Sequence, residues 1–237
     1  MSKLQTRIGI LPIRSGSKRI KNKNIRKFID KPLFWWTANA LNNATHIDYF
    51  IVSSDSQYYL DLVDKYKFNK VKYHLREKQF SRDTSSTESV VNSVIEEFNL
   101  KDNNIITLVQ ATSPWVTAID IDSAIDVFYK HDYNSVFSVA DCDKFIWGMN
   151  NHNTLEPINY DYLNRKRSQT FDNSLYIENG GIYVTYVSSY IKYNNRLYPR
   201  IGVYVMPFWT AFEIDTEEDW QNLEALMEVS PIGNRKY

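Results

Sequence analysis

Residues 8–19 read Ile8-Gly9-Ile10-Leu11-Pro12-Ile13-Arg14-Ser15-Gly16-Ser17-Lys18-Arg19, an apolar run that stops at a turn of small and cationic residues. The apolar half predicts a buried strand, and the turn predicts a loop of phosphate size leading into a helix. Working outward, the alternation repeats. Pro32 suits the first turn of a helix on which Leu33, Trp36, Thr37, Ala40, Leu41 and Ala44 share a face. A strand is predicted over 49–52, ending at Ser53-Ser54-Asp55, and a helix over about 57–66. Ser85 and Glu88 have capping-box spacing ahead of a helix lined by Val90, Val91, Val94, Ile95 and Phe98. The run 105–109 predicts another strand, and Thr117 with Asp120 is placed to cap a helix carrying Ile121, Ile125 and Phe128. Strands over 135–139, 181–185 and 201–206 follow, then a helix with Trp220, Leu223, Leu226 and Met227 on one face. Strands alternating with helices at this spacing predict an α/β fold with a mainly parallel central sheet and helices on both faces.

The rhythm breaks over about 141–179, a polar and aromatic stretch without a clear period. It predicts an inserted arm within a single domain spanning 1–237. Arms of this kind complete a site or a dimer interface, or are plain surface excursions.

The 28 basic and 28 acidic residues cancel, so neither nucleic acid nor an anionic membrane is the expected partner. The cations are nevertheless clustered. Residues 14–31 hold eight of them, Arg14, Lys18, Arg19, Lys21, Lys23, Arg26, Lys27 and Lys31, against Asp30 alone, which predicts a polyanionic ligand there. Cys142 is the single cysteine, which excludes an internal disulfide and a cysteine zinc cluster and favours a reducing compartment. The first apolar run is too short for a signal peptide, and no membrane-length apolar stretch occurs. A soluble, cytoplasmic protein is expected.

Seven glycines in 237 residues is about 3%, against a usual value of about 7%, so each is expected to answer a backbone need. Gly16 lies where backbone N–H groups would approach a phosphate, with Arg14, Lys18 and Lys23 adding charge. By itself the loop fits a solvated basic turn equally well. Glu213-Ile214-Asp215 places two carboxylates on one side of an extended segment, as a magnesium clamp requires; Asp215 and Thr216 would also serve as caps for the last helix. Asp55 and Gln110 end predicted parallel strands, where such sheets bind ligands, although Asp55 equally suits a helix cap. His46, His74, His131 and His152 show no ligand spacing.

Taken in order, LPIRSGSKRIKNKN (11–24), VSSD (52–55), LREKQFSRDTSSTES (75–89), LVQATSP (108–114), SVFSV (135–139), RSQ (167–169), ENGGIYV (178–184) and EIDTEEDW (213–220) resemble the motif series of the acylneuraminate cytidylyltransferases. The resemblance implies a Rossmann-like nucleotidyltransferase domain, usually a homodimer whose inserted dimerisation arm reaches the partner's site. It implies CTP and a nonulosonic acid as substrates, attack of the acid's anomeric hydroxyl on the α-phosphorus, release of pyrophosphate, and Mg²⁺ as cofactor. By motif, Arg14, Ser15, Gly16, Ser17, Lys23 and Asn24 would hold the triphosphate, with Arg14, Lys23 and Asp215 closest to the chemistry. Arg76, Ser85 and Ser86 would lie by the cytidine. Gln110, Arg167, Gln169 and Tyr183 would take the sugar acid, and Glu213 with Asp215 the metal.

Four departures stand out. Ser15 and Arg19 replace glycines common in the family's loop, and Arg19 also occurs in relatives acting on pseudaminic-type acids. Trp115-Val116-Thr117 stands where the family usually has Leu-Arg-Thr. Glu213 replaces a usual aspartate. The rivals are a Kdo-type cytidylyltransferase, which usually carries a different loop, a glycosyltransferase using Glu213-Ile214-Asp215, and a silent nucleotide or sugar-acid binding protein.

Overall fold

The computed structural model describes residues 5–76, 86–165, 167 and 175–229. In chain order the elements are β1 (Arg7–Ile13), β2 (Lys27–Phe28), β3 (Lys31–Pro32), α1 (Leu33–Asn43), β4 (Tyr49–Ser54), α2 (Gln57–Asp64), β5 (Val71–Leu75), α3 (Thr87–Glu97), β6 (Ile105–Val109), α4 (Ala118–Lys130), β7 (Ser135–Asp141), β8 (Trp147–Met149), β9 (Leu155–Pro157), β10 (Tyr176–Tyr186), α5 (Val187–Tyr193), β11 (Ile201–Met206) and α6 (Glu217–Val229). Seven strands form one sheet in the order β11-β7-β10-β6-β1-β4-β5. Only β10 runs antiparallel to its neighbours in that sheet. The α/β architecture with a mainly parallel sheet is therefore as expected.

Successive side chains of β1 serve opposite faces. Ile8 and Ile10 join Val91, Val94 and Tyr190 under α3 and α5, while Leu11 and Ile13 join Leu41, Phe128 and Trp220 under α1, α4 and α6. Burial of each such side chain stabilises by roughly 1.5–3 kcal/mol. Gly9 allows α1 to sit directly on the sheet, since an added Cβ would lie 2.6 Å from Leu41 Cδ2 and 2.8 Å from Phe50 Cβ.

Local chemistry moved several predicted boundaries. The loop after β1 does not run into a helix: a 3-10 turn (Lys23–Ile25) and the β2–β3 hairpin come before α1. Asn24, 6% exposed, ties this detour back by donating from Nδ2 to the Arg14 carbonyl at 2.9 Å. Pro32 precedes α1 rather than opening its first turn. Ser86, not Ser85, caps α3 by accepting from the Ser89 N–H, and Ser85 lies outside the described residues. The Thr117–Asp120 capping box forms as predicted. Edge strand β5 and the short α5 were not anticipated.

The arm is narrower than 141–179. Strand β7 runs on to Asp141 and β10 begins at Tyr176, paired across with it, so the excursion spans 142–175. It contains the β8–β9 hairpin and leaves Met149, Ile158 and Leu163 exposed by 64%, 65% and 81%. No helix among the described residues is long and apolar enough to cross a membrane.

Candidate active site

Strands β1, β4, β5 and β6 run parallel and end on one edge of the sheet, the edge at which such sheets bind ligands. There the chain supplies Arg14, Arg76 and Gln110 to a cavity of about 540 Å³. Ser17, Lys23, Asn24, Ser86, Glu213 and Asp215 complete most of the wall expected from the sequence. Residues separated by up to two hundred positions thus converge on one space.

The loop is shaped by Asp55. Its Oδ1 accepts from the Ser15 N–H at 2.8 Å and its Oδ2 from the Ser15 hydroxyl at 2.9 Å. Ser15 therefore replaces a glycine's flexibility with a two-point tether. Asp55 is spent on this bond rather than on capping α2, whose N-cap is Ser56. Gly16 needs no special backbone: it has no left-handed φ, and an added Cβ would meet nothing within 4 Å. The intrachain requirement expected of Gly16 is absent, and neither Ser15 nor Gly16 lines the cavity.

Arg76 is 6% exposed, yet poorly satisfied. Its Nη2 lies 4.0 Å from Asp55 and 3.5 Å from the Ile13 carbonyl, and Nε has no hydrogen-bond partner among the described residues. Burial lowers its proton affinity, while Asp55 acts in the opposite sense. An unmet buried donor costs about 1–3 kcal/mol, a cost that a ligand in the cavity can remove.

Beside the loop, Ile214 is fully buried, its N–H donates to the Thr112 carbonyl at 3.3 Å and its carbonyl accepts from Lys23 Nζ at 2.7 Å, which leaves Glu213 and Asp215 lining the cavity. Asp215 does not cap α6. Asp219 accepts from the Thr216 N–H at 2.7 Å, and Thr216 Oγ1 accepts from the Asp219 N–H at 3.1 Å, so the cap is complete without it. The Asp215 carboxylate instead lies 3.2 Å from both Lys23 Nζ and Arg19 Nη2. Burial, reinforced by Asp215, raises the proton affinity of Glu213, and burial lowers that of Lys23 despite Asp215. Gly180 makes room for this arrangement: its φ is +66°, and a Cβ there would lie 2.0 Å from Glu213 Oε1. Gln110 holds the same turn, donating to the Gly180 carbonyl at 2.6 Å.

Two carboxylates at one wall suit a magnesium ion that takes its remaining ligands from phosphate and water. No group of three or more metal-binding side chains occurs among the described residues.

Other expected site residues fall differently. Tyr183 does not line the cavity. It is 3% exposed, stacks against Phe137, and its hydroxyl donates to Glu178. Arg196 occupies the cavity wall above it, with its guanidinium 5.0 Å from the ring centroid. Arg167 is exposed and not a lining residue, and Gln169 lies outside the described residues. Val116 is fully buried against Gly181, so the arginine absent from Trp115-Val116-Thr117 has no cationic substitute at that position. Sequence reasoning missed Arg196 and Glu88, which line the cavity as an ion pair at 2.6 Å. No local pattern betrays a bond between positions 108 residues apart.

Comparison with known proteins extends this picture. The family model described as Cytidylyltransferase matches residues 8–229. The N-acylneuraminate cytidylyltransferase of Escherichia coli O18:K1:H7 is 26% identical over 219 residues, 90% of this chain and 50% of that protein. The chain thus spans about half the length of the N-acylneuraminate cytidylyltransferases it matches. The pseudaminic acid cytidylyltransferase of Campylobacter jejuni serotype O:2 is 26% identical over 227 residues, 93% of this chain and 96% of that protein. Among solved structures, CMP:2-keto-3-deoxy-manno-octonic acid synthetase in complex with CTP superposes with a TM-score of 0.66 at 14% identity, covering 94% of this chain and 99% of that one. At that identity the likeness speaks to the fold.

Proposed function

Because the chain belongs to the cytidylyltransferase family, we propose that it transfers CMP from CTP to the anomeric hydroxyl of a sialic-acid-like nonulosonic acid, releasing pyrophosphate. The observation that carries this reading is the meeting, in one cavity, of the cations of the loop after β1 with the Glu213–Asp215 carboxylates. That is the charge pattern a metal-bound triphosphate requires. The names of the relatives, an N-acylneuraminate and a pseudaminic acid cytidylyltransferase among them, supply the acceptor class.

In this reading Arg14, Ser17, Lys23 and Asn24 hold the triphosphate, and Arg76 with Ser86 meets the nucleoside. The amide of Gln110, fixed by Gly180, faces the acid. Glu213 and Asp215 would hold Mg²⁺, which supplies charge neutralisation at the departing pyrophosphate. Lys23 and Arg19 now rest on Asp215 and would turn to the phosphates when nucleotide and metal arrive. Positioning and charge carry the catalysis, without a covalent enzyme intermediate. The exposed apolar side chains of residues 142–175 would form the interface of a homodimer, bringing Arg167 to a neighbouring site and its guanidinium to the acid's carboxylate. The setting would be cytoplasmic synthesis of activated sugars for lipopolysaccharide or capsule.

The test is pyrophosphate release with CTP and Mg²⁺ against N-acetylneuraminic, legionaminic, pseudaminic and Kdo acids. Turnover with a nine-carbon acid is expected. Turnover with Kdo alone would move the acceptor to the eight-carbon class, and ligand-induced stabilisation without any release would identify a silent binding protein.

A further inference from the structure

Glu88 and Arg196 line the cavity, and the proposed function gives neither a role. Glu88 lies in the first turn of α3, and Arg196 in the connection between α5 and β11. Arg196 donates from Nε to Glu88 Oε1 at 2.8 Å, and its Nη2 lies 2.6 Å from the same oxygen. The two side chains are 20% and 19% exposed. The guanidinium also lies over the Tyr183 ring, which is held by Glu178 and Phe137. The two opposite charges of the pair already offset each other. Its bonds to described residues use one carboxylate oxygen and one edge of the guanidinium, leaving Glu88 Oε2 and Arg196 Nη1 for a ligand.

The order of strands places this pair. Along the binding edge, β5, β4 and β1 bring Arg76, Asp55 and the Arg14 loop; beyond them, β6 brings Gln110. Tyr183, beneath Arg196, lies on β10 opposite Leu108 of β6. The pair therefore borders the β6 and β10 side of the cavity, the side that the proposed function gives to the acceptor through Gln110. A second carboxylate on the ligand would meet repulsion from Glu88, and an ammonium would meet it from Arg196. A neutral group offering an N–H to the carboxylate and a carbonyl to the guanidinium satisfies both. An acylamino group does this with two different atoms, whereas a hydroxyl has one.

We propose that the Glu88–Arg196 pair is the specificity-determining contact of this site and takes an acylamino substituent of the acceptor acid. The inference rests on the cytidylyltransferase reading.

Its test is steady-state kinetics with acceptor acids that differ only by acylamino against hydroxyl, at carbon 5 or at carbon 7. The proteins compared are the wild type, Glu88→Gln, Arg196→Lys and the charge-exchanged double variant Glu88→Arg with Arg196→Glu. The wild type should prefer the acylamino acid at one of these carbons. Each single variant should raise the KM for that acid about tenfold, the effect of losing one good hydrogen bond, and abolish the preference while leaving the KM for CTP unchanged. The double variant separates specificity from scaffolding: it should recover the wild-type Tm without recovering the preference. Recovery of both, a rise confined to the KM for CTP, or single variants with unaltered preference would each overturn the proposal. If the wild type itself shows no turnover, the cytidylyltransferase reading fails. The pair is then judged by calorimetric binding of the same acids, where tighter binding of the acylamino acid by wild type than by Arg196→Lys sustains it and equal binding ends it.

Discussion

Two ion-paired regions border the cavity and differ in kind. At the loop end, Lys23 and Arg19 reach Asp215 at 3.2 Å, with side chains 15% and 66% exposed against 43% for the carboxylate. Elsewhere on the cavity lining, Arg196 meets Glu88 at 2.6 Å, with both side chains about one-fifth exposed. An exposed pair such as Arg19–Asp215 contributes little, about 0–1 kcal/mol, and exchanges partners readily, and the half-exposed Asp215 carboxylate is shared with the more shielded Lys23. A shielded, short pair holds its geometry. In the proposed function, charge at the loop end is arranged to be handed to a ligand and a metal, whereas the Glu88–Arg196 charge is arranged to stay.

The largest effect should come from breaking the exchangeable end. Asp215→Asn is expected to lower kcat by roughly 10²–10³-fold, the scale seen when a transition-state charge partner is removed. Its Tm should stay within a few degrees, because Thr216 and Asp219 cap α6 without it. Steady-state rates with a melting curve check this, and near-wild-type turnover would remove Asp215 from the metal role. Arg76→Met comes next. It removes a buried cation whose Nε has no hydrogen-bond partner among the described residues, so the KM for CTP should rise about tenfold or more with little loss of Tm, as fluorescence melting and kinetics would show. Ser15→Ala should act in the same direction but less, with a several-fold rise in the KM for CTP, since the Asp55 tether keeps its backbone half.

The pH responses sharpen the comparison further. The Glu213 carboxyl is raised by burial and by Asp215, so it takes up a proton at a pH where an ordinary glutamate is ionised. Turnover should fall as pH drops through that raised value, added Mg²⁺ should move the fall to lower pH, and Glu213→Gln should remove the shift. A rate profile insensitive to Mg²⁺ would contradict this. The smallest effect is structural. His74, buried between Ser53 and Glu97, has its proton affinity lowered by desolvation from a usual value of 6.5. The unfolded chain therefore takes up the proton first. Its contribution to stability is present above that value and is lost as pH falls through the window below it. Urea melts of His74→Gln from pH 7 to 5 should show a shallower decline than wild type.

Much of this was legible in the sequence where the signal is local. The 3.6-residue repeat of Leu33, Trp36, Ala40 and Leu41, the apolar run of β6 and the Thr117–Asp120 box each specify their element within a few residues, and the structure realises them. The loop and the Glu213–Asp215 pair were legible as candidates because charge and spacing are local too. What was hidden is long-range. Asp55 looks like a cap until Ser15 is seen beside it. Tyr183 looks like a wall residue until Arg196 is seen above it. The edge strand β5 has only the half-buried pattern of Val71, Tyr73 and His74 to announce it, and its Pro-free polar neighbours give no punctuation.

The central claim is that the acceptor's own anomeric oxygen attacks the α-phosphorus of CTP in this cavity. The most direct measurement uses a nonulosonic acid labelled with ¹⁸O at the anomeric hydroxyl, incubated with the protein, CTP and Mg²⁺, with the products read by mass spectrometry. The account predicts that the label stays in the bridge of a CMP–acid product while the pyrophosphate carries none. Label in the pyrophosphate, or CTP consumed to free CMP without a CMP–acid product, would contradict it.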